Sequence, residues 1–196
     1  MRITFKNKLL SVPLLAALAV TFAAPHAQAG VIEVGASGNY RISRINKENY
    51  QEMVSYTGTL SYYFWELSAL ELSYTEGTQI VVLQIPTENR TTTTTSFQMA
   101  GLDLVLTLAD KQSVFQPYVK LGGAYLKKEM QREIENMGIT KLPSSEGVVP
   151  SAGVGFKFRI GANLSLKVGV DAWTSPSNQS PTTIDYAGRA GISWMF

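Results

Sequence analysis

The chain has no cysteine in its 196 residues and a single histidine, His26. Without cysteine there is no disulfide framework, no thiolate nucleophile and no thiolate metal ligand. His26 falls in an N-terminal segment that reads as a cleaved leader, so the mature chain keeps no imidazole either. Ser-His-Asp and Cys-His units are thereby excluded, as are imidazole metal sites. A paired-carboxylate mechanism stays formally open, but no spacing of Asp and Glu singles one out. No enzymatic activity, cofactor or metal is expected. Beyond the leader there is no apolar run long enough for a transmembrane helix. Charge is scarce and balanced: 17 Lys and Arg stand against 15 Asp and Glu. Arg2, Lys6 and Lys8 belong to the leader, which leaves 14 basic residues to 15 acidic ones. Such a chain exerts no general pull on nucleic acid, and no nucleic-acid partner is expected.

What is present begins with that leader, residues 1–29. Three cations precede an apolar stretch, 9–24, interrupted only by Ser11, Pro13 and Thr21. Ala27-Gln28-Ala29 then supplies an A-x-A cleavage site, so the segment is expected to be a signal peptide with Gly30 the mature N-terminus. Residues 30–196 suit one domain.

The last stretch, 184–196, reads IDYAGRAGISWMF. Alternate residues Ile184, Tyr186, Gly188, Ala190, Ile192, Trp194 and Phe196 are apolar or small, while both charges, Asp185 and Arg189, lie on the intervening set. Such alternation makes a strand with two unlike faces. A strand of this pattern ending on an aromatic residue resembles the closing strand of bacterial outer-membrane β-barrels. The resemblance implies that Tyr186, Ile192, Trp194 and Phe196 act as the signal read by the barrel-insertion machinery.

The same period-2 reading finds seven further strands, near 31–44, 53–64, 67–75, 96–108, 114–127, 148–160 and 164–173. Each has one apolar face, such as Leu102, Leu104, Leu106 and Leu108 against Gly101, Asp103, Val105 and Thr107. Strands with two charges test the assignment. Glu33 and Arg41, Lys157 and Arg159, Lys167 and Asp171, and Asp185 and Arg189 each share a face opposite the apolar one. A charge facing lipid near the midplane is costly, and a sheet spanning hydrocarbon must close on itself. The expected fold is an all-β, eight-stranded antiparallel up-and-down transmembrane β-barrel.

Connections at 65–66, 109–113 and 161–163 are short, whereas those at 45–52, 76–95, 128–147 and 174–183 are long. Alternating lengths suit periplasmic turns and extracellular loops, with both termini periplasmic in a bacterial outer membrane. Two aromatic girdles are expected: Phe64, Trp65, Phe115, Phe158, Trp194 and Phe196 at the turn end, and Tyr40, Tyr74, Tyr125, Trp173 and Tyr186 at the loop end. The segment Phe115-Gln116-Pro117-Tyr118, continuing through Gly122 to Tyr125, resembles the F-x-P-Y…G-x-x-Y strand of small barrel domains related to outer membrane proteins A and X.

The inward face carries Glu33, Glu71, Asp103, Asp171 and Asp185 with Arg41, Lys120, Lys157, Arg159, Lys167 and Arg189. These form either a salt-bridged plug or a solute path lined by both signs; eight strands leave an interior that side chains can fill. Inward glycines are expected to make room for the long side chains. Residues 80–85 and the threonines of 91–95 form either a hairpin rising above the membrane or an edge that adds a partner strand. The charged stretch 127–135 is either a solvated loop or, through Lys127, Lys128 and Arg132, a contact for lipopolysaccharide phosphates. The expected function is that of a non-catalytic integral outer-membrane barrel whose loops serve envelope integrity, adhesion or a surface protein partner. Its other expected partners are outer-membrane lipid and lipopolysaccharide. The alternatives are a narrow, porin-like channel for ions or small solutes, and a soluble ligand-binding barrel, which would need an apolar interior.

Overall fold

The computed structural model describes residues 31–44, 46, 48–84, 89–110, 112–174 and 184–196. The expected signal segment, 1–29, lies outside them. Nine strands follow in order: β1 (Val31–Arg44), β2 (Tyr50–Trp65), β3 (Ser68–Leu83), β4 (Thr91–Thr107), β5 (Phe115–Ile134), β6 (Gly138–Lys141), β7 (Ser145–Arg159), β8 (Leu164–Thr174) and β9 (Ile184–Met195). Each barrel strand pairs antiparallel with its neighbour in the circuit β1-β2-β3-β4-β5-β7-β8-β9. Closure comes from β1 against β9, from Glu33 opposite Met195 to Asn39 opposite Arg189. Eight strands therefore make the barrel, and β6 is a short arm outside it that pairs only with the far end of β5.

Alternation decides the two faces. Leu60, Leu72, Leu102, Leu104, Val154, Val170 and Ile192 all point outward and are exposed. Their strand neighbours Ser61, Glu71, Asp103, Gly153 and Ser193 are buried in the interior. A one-residue slip of any charged strand would place its charge in lipid, at about 2–4 kcal/mol for a midplane Lys or Arg, so the inward charges also specify register.

The barrel is tall on one side. A membrane strand needs about 9–11 residues, yet β5 has 20 residues and β4 has 17, while β8 has 11. The β3–β4 hairpin continues past the expected strand ends to Leu83 opposite Thr91, the β-branched threonines forming its return arm. The charged stretch 127–135 is not a loop. Up to Ile134 it continues β5, with Glu129 to Ile134 paired to Ser96 to Thr91. Above the membrane both faces of a strand meet water, so charge does not stop it once a neighbour offers a ladder. The chain then reverses through Asn136 and Gly138, both at positive φ (67° and 92°), into β6.

The aromatic girdles need one correction. All six turn-end aromatics are exposed, and Phe115 stacks on Phe156 at 5.0 Å between ring centroids. At the loop end Tyr40, Tyr74, Tyr125 and Tyr186 point outward, but Trp173 is 7% exposed and faces the lumen. It shares parity with Lys167 and Asp171, and its partners across the sheet are the inward-facing Ser151 and Asp185.

Candidate functional site

The interior is built in layers. Eight of the eleven inward charges join one network, contributed by seven of the barrel strands. Lys157 and Lys167 stand directly opposite each other on β7 and β8. Like charges facing each other destabilise a sheet, and here Glu33 of β1 resolves the conflict. Its Oε2 accepts from Lys157 Nζ at 2.6 Å, and its Oε1 pairs with Lys167. The mirror arrangement lies across the lumen. Glu71 and Asp103 are directly opposite on β3 and β4, and Lys120 of β5 sits between them at 3.6 and 3.5 Å. Lys120 also reaches Asp171 at 3.1 Å, which Arg189 holds from the other side at 3.2 Å. Lys167 links the two halves through Glu71 at 3.5 Å. Four acids and four bases thus neutralise one another.

Neutral donors complete the set. From β2, Ser61 donates to Glu71 at 3.1 Å and Tyr63 donates to Glu33 at 3.1 Å. Ser151 donates to Asp103 at 2.6 Å. With these, all eight barrel strands meet at the network. Charged groups held in this way are costly to disturb singly, because removing one partner strands the other in the interior. Two glycines admit the long side chains. A Cβ on Gly153 would lie 2.7 Å from Lys120 Cε, and one on Gly155 would lie 2.6 Å from Tyr118 Cζ.

The other three expected members stand apart. Arg41 places its guanidinium carbon 4.3 Å from the centre of the Tyr186 ring and its Nη1 3.4 Å from the Tyr186 carbonyl. Asp185 accepts from Lys128 at 2.8 Å near the mouth. Arg159, near the turn end, is half-buried and takes no part in the network. The cations Lys127, Lys128 and Arg132 do not form one patch either. Lys127 and Lys128 are adjacent on β5 and so point to opposite faces, and Lys127 pairs with Glu129 at 3.2 Å.

Toward the long loops the lumen changes character. Met53, Phe97, Ala124, Leu126, Val149, Trp173 and Ala187 make one buried apolar cluster, with Met99 packed against it. On each strand that contributes both, the apolar member is nearer the loop end than the charged one. Sequence reasoning missed this layer, although parity assigns Trp173, Val149 and Phe97 to the interior. Two small voids border the network. One, beside Glu71, Lys167 and Arg189, has about 10 Å³, and one, beneath Trp173, has about 20 Å³, room for about one water each. Among the described residues no three metal-ligating side chains converge.

A closed circle of eight antiparallel strands, apolar outside and ionic within, is the architecture of a barrel in lipid. Consistent with it, a model of the outer membrane protein beta-barrel domain matches residues 14–191. The chain belongs to that family. Solved family-like barrels are similar in fold at low identity. The N-terminal barrel domain of OprF from Pseudomonas aeruginosa is 16% identical with a TM-score of 0.56, over 85% of this chain and 99% of that one. Neisserial surface protein A is 12% identical with a TM-score of 0.58, over 85% and 97%. The attachment invasion locus protein Ail of Yersinia pestis, seen with the heparin analogue sucrose octasulfate, is 12% identical with a TM-score of 0.54, over 86% and 99%. No curated protein sequence matches the chain. The outer-membrane barrel is thus an integral membrane protein of the bacterial outer membrane.

Proposed function

We propose that this outer-membrane barrel is a non-catalytic surface protein with a closed lumen, its termini in the periplasm and its working surface at the loop end. One observation carries the reading: an eight-member ion network spans the lumen, with voids of about 10 and 20 Å³ beside it, and an apolar cluster lies above it. A hydrated ion would have to shed water to pass Trp173, Phe97 and Leu126. Non-catalysis is supported by a mature chain without His or Cys. What projects instead is the sheet of β2 to β6, which carries Leu83, Met137 and Ile139 exposed beyond the membrane. Such a rigid, raised sheet suits adhesion or a protein partner better than transport. The sulfated partner of Ail stays with Ail, since the likeness is one of fold.

Two further partners follow from position. Phe196 and Trp194 face outward on the closing strand, where barrel-insertion machinery would meet them. Lipid would surround the apolar band with lipopolysaccharide at its outer edge, which Lys127 faces from the outward side of β5, whereas Arg132 shares the inward parity of Leu126 and Lys128. The deciding experiment is conductance of the refolded chain, residues 30–196, in planar bilayers. Silence is expected, with insertion confirmed by heat-modifiable gel mobility. Stable, reproducible conductance would overturn the closed lumen and favour the narrow channel.

A further inference from the structure

Among the residues of the apolar cap, Trp173 alone carries a side-chain hydrogen-bond donor. Its indole Nε1 is buried and meets no partner among the described residues. A buried donor left in that state carries the full cost of its desolvation, and in folded proteins such a group has a protein or water partner in most cases. Trp173 also forms part of the wall of the void of about 20 Å³. The rest of that wall is rich in oxygen. Asp103 of β4 and Asp171 of β8 contribute carboxylates, and Thr57, Ser73, Thr75 and Ser151 contribute hydroxyls. Part of this oxygen is engaged: Thr57 and Thr75 bond each other at 2.8 Å, Ser151 and Lys120 donate to Asp103, and Lys120 and Arg189 hold Asp171. An ionised carboxylate has about four acceptor sites, so both aspartates keep capacity beyond those bonds. The indole needs an acceptor while the carboxylates take donors. One bridging group must do both.

We propose that this void is a binding site for a single, long-lived water molecule that joins Trp173 to the ion network. The chemistry of the wall selects it. A halide or other anion would accept from the indole but would face Asp103 and Asp171. A metal ion or an ammonium would suit the carboxylates but offers nothing to the indole N–H. Water does both. It needs about 10–15 Å³ of such space, so the void admits one water and leaves no room for the shell of a hydrated ion. Buried waters make about three hydrogen bonds, and the indole, one carboxylate and one wall hydroxyl supply that number. The bound water makes cap and network one hydrogen-bonded unit, with Trp173 as the member common to both. This goes beyond the closed-lumen reading, which concerns what passes through the barrel and not what is held inside it.

The test is NMR of the refolded chain, residues 30–196, in micelles with its tryptophans labelled with nitrogen-15. The sequence has three tryptophans, and Trp173→Phe identifies the indole signal in question. A rotating-frame cross-peak from that N–H to water is expected, with the sign of through-space contact and not of exchange. In deuterated buffer the same proton should exchange at least about tenfold more slowly than the indole proton of Trp65, which is exposed. Ala124→Val fills the void from β5 without touching a hydroxyl and should remove the cross-peak, while heat-modifiable mobility stays that of the parent. Gly101→Ala fills it from β4, where the added carbon would lie 3.6 Å from the Ala124 Cβ, and should do the same. Absence of the cross-peak in the parent would overturn the proposal, as would an indole proton that exchanges as fast as that of Trp65. So would a cross-peak unchanged in both filled variants. A shift of the Trp173 signal when bromide replaces chloride at constant ionic strength would overturn it in favour of an anion.

Discussion

Toward the short turns the lumen is filled by ions that neutralise one another; toward the long loops an apolar cluster lines it, with the Lys128–Asp185 pair beside it at the mouth. The two layers tolerate change differently. In the ionic layer each like-charged pair across the sheet, Lys157 with Lys167 and Glu71 with Asp103, is reconciled by a third strand. Stability there depends on every member being present. The apolar layer is additive by comparison, since losing part of Leu126 or Trp173 costs contacts and leaves a cavity but strands no charge. The ionic layer also constrains register, because slipping a strand would turn its charges into lipid. In the proposed closed lumen, the apolar layer closes the path.

The largest effect expected from breaking this contrast is at Glu33. Glu33→Gln leaves Lys157 and Lys167 face to face without their carboxylate, and urea unfolding of the refolded barrel should show a loss of about 3–5 kcal/mol. A loss of less than about 1 kcal/mol would mean that the network does not hold the barrel, in contrast to a buried pair. Next comes the cap. Leu126→Ala removes a side chain that is fully buried and should cost about 2–5 kcal/mol, while planar bilayers stay silent because the ionic layer below is intact. Conductance appearing in that variant would make the cap the sole barrier. Ser61→Ala sharpens the comparison at smaller scale. It deprives Glu71 of a neutral donor but keeps its cations, for about 1–2 kcal/mol in the same unfolding assay. Smallest of all is Lys127→Ala on the outer face, whose exposed pair with Glu129 should contribute no more than about 0.5 kcal/mol. A larger loss there would show that the charges outside the barrel carry stability as well.

Most of the barrel was legible residue by residue. Two-charge strands such as 157–159 and 167–171 placed their inward faces correctly, because a lipid-facing charge is forbidden in either reading of the rest. The strand ends were less legible. Residues 76–95 read as a connection whose parts 80–85 and 91–95 form either a hairpin or a partner-binding edge, and 127–135 as a loop, because the lipid rule that makes alternation sharp lapses above the membrane. Trp173 was misplaced for a different reason. Aromatics near a strand end suggest a girdle, yet its parity with Asp171 already pointed inward. Arg41, Arg159 and Asp185 show the remaining limit: facing inward is a property of one strand, while meeting a partner is a property of several.

By itself, then, the sequence determined the faces, the number of barrel strands and the absence of cysteine. These depend on local alternation and composition, and the hydrocarbon around the barrel enforces them strand by strand. Only the tertiary structure decided which charges meet and where the apolar cap lies. Glu33 and Lys157 are 124 residues apart, and no local pattern relates them. Closure of the barrel, with its fixed register, sets their heights along the lumen and brings them within reach of a hydrogen bond.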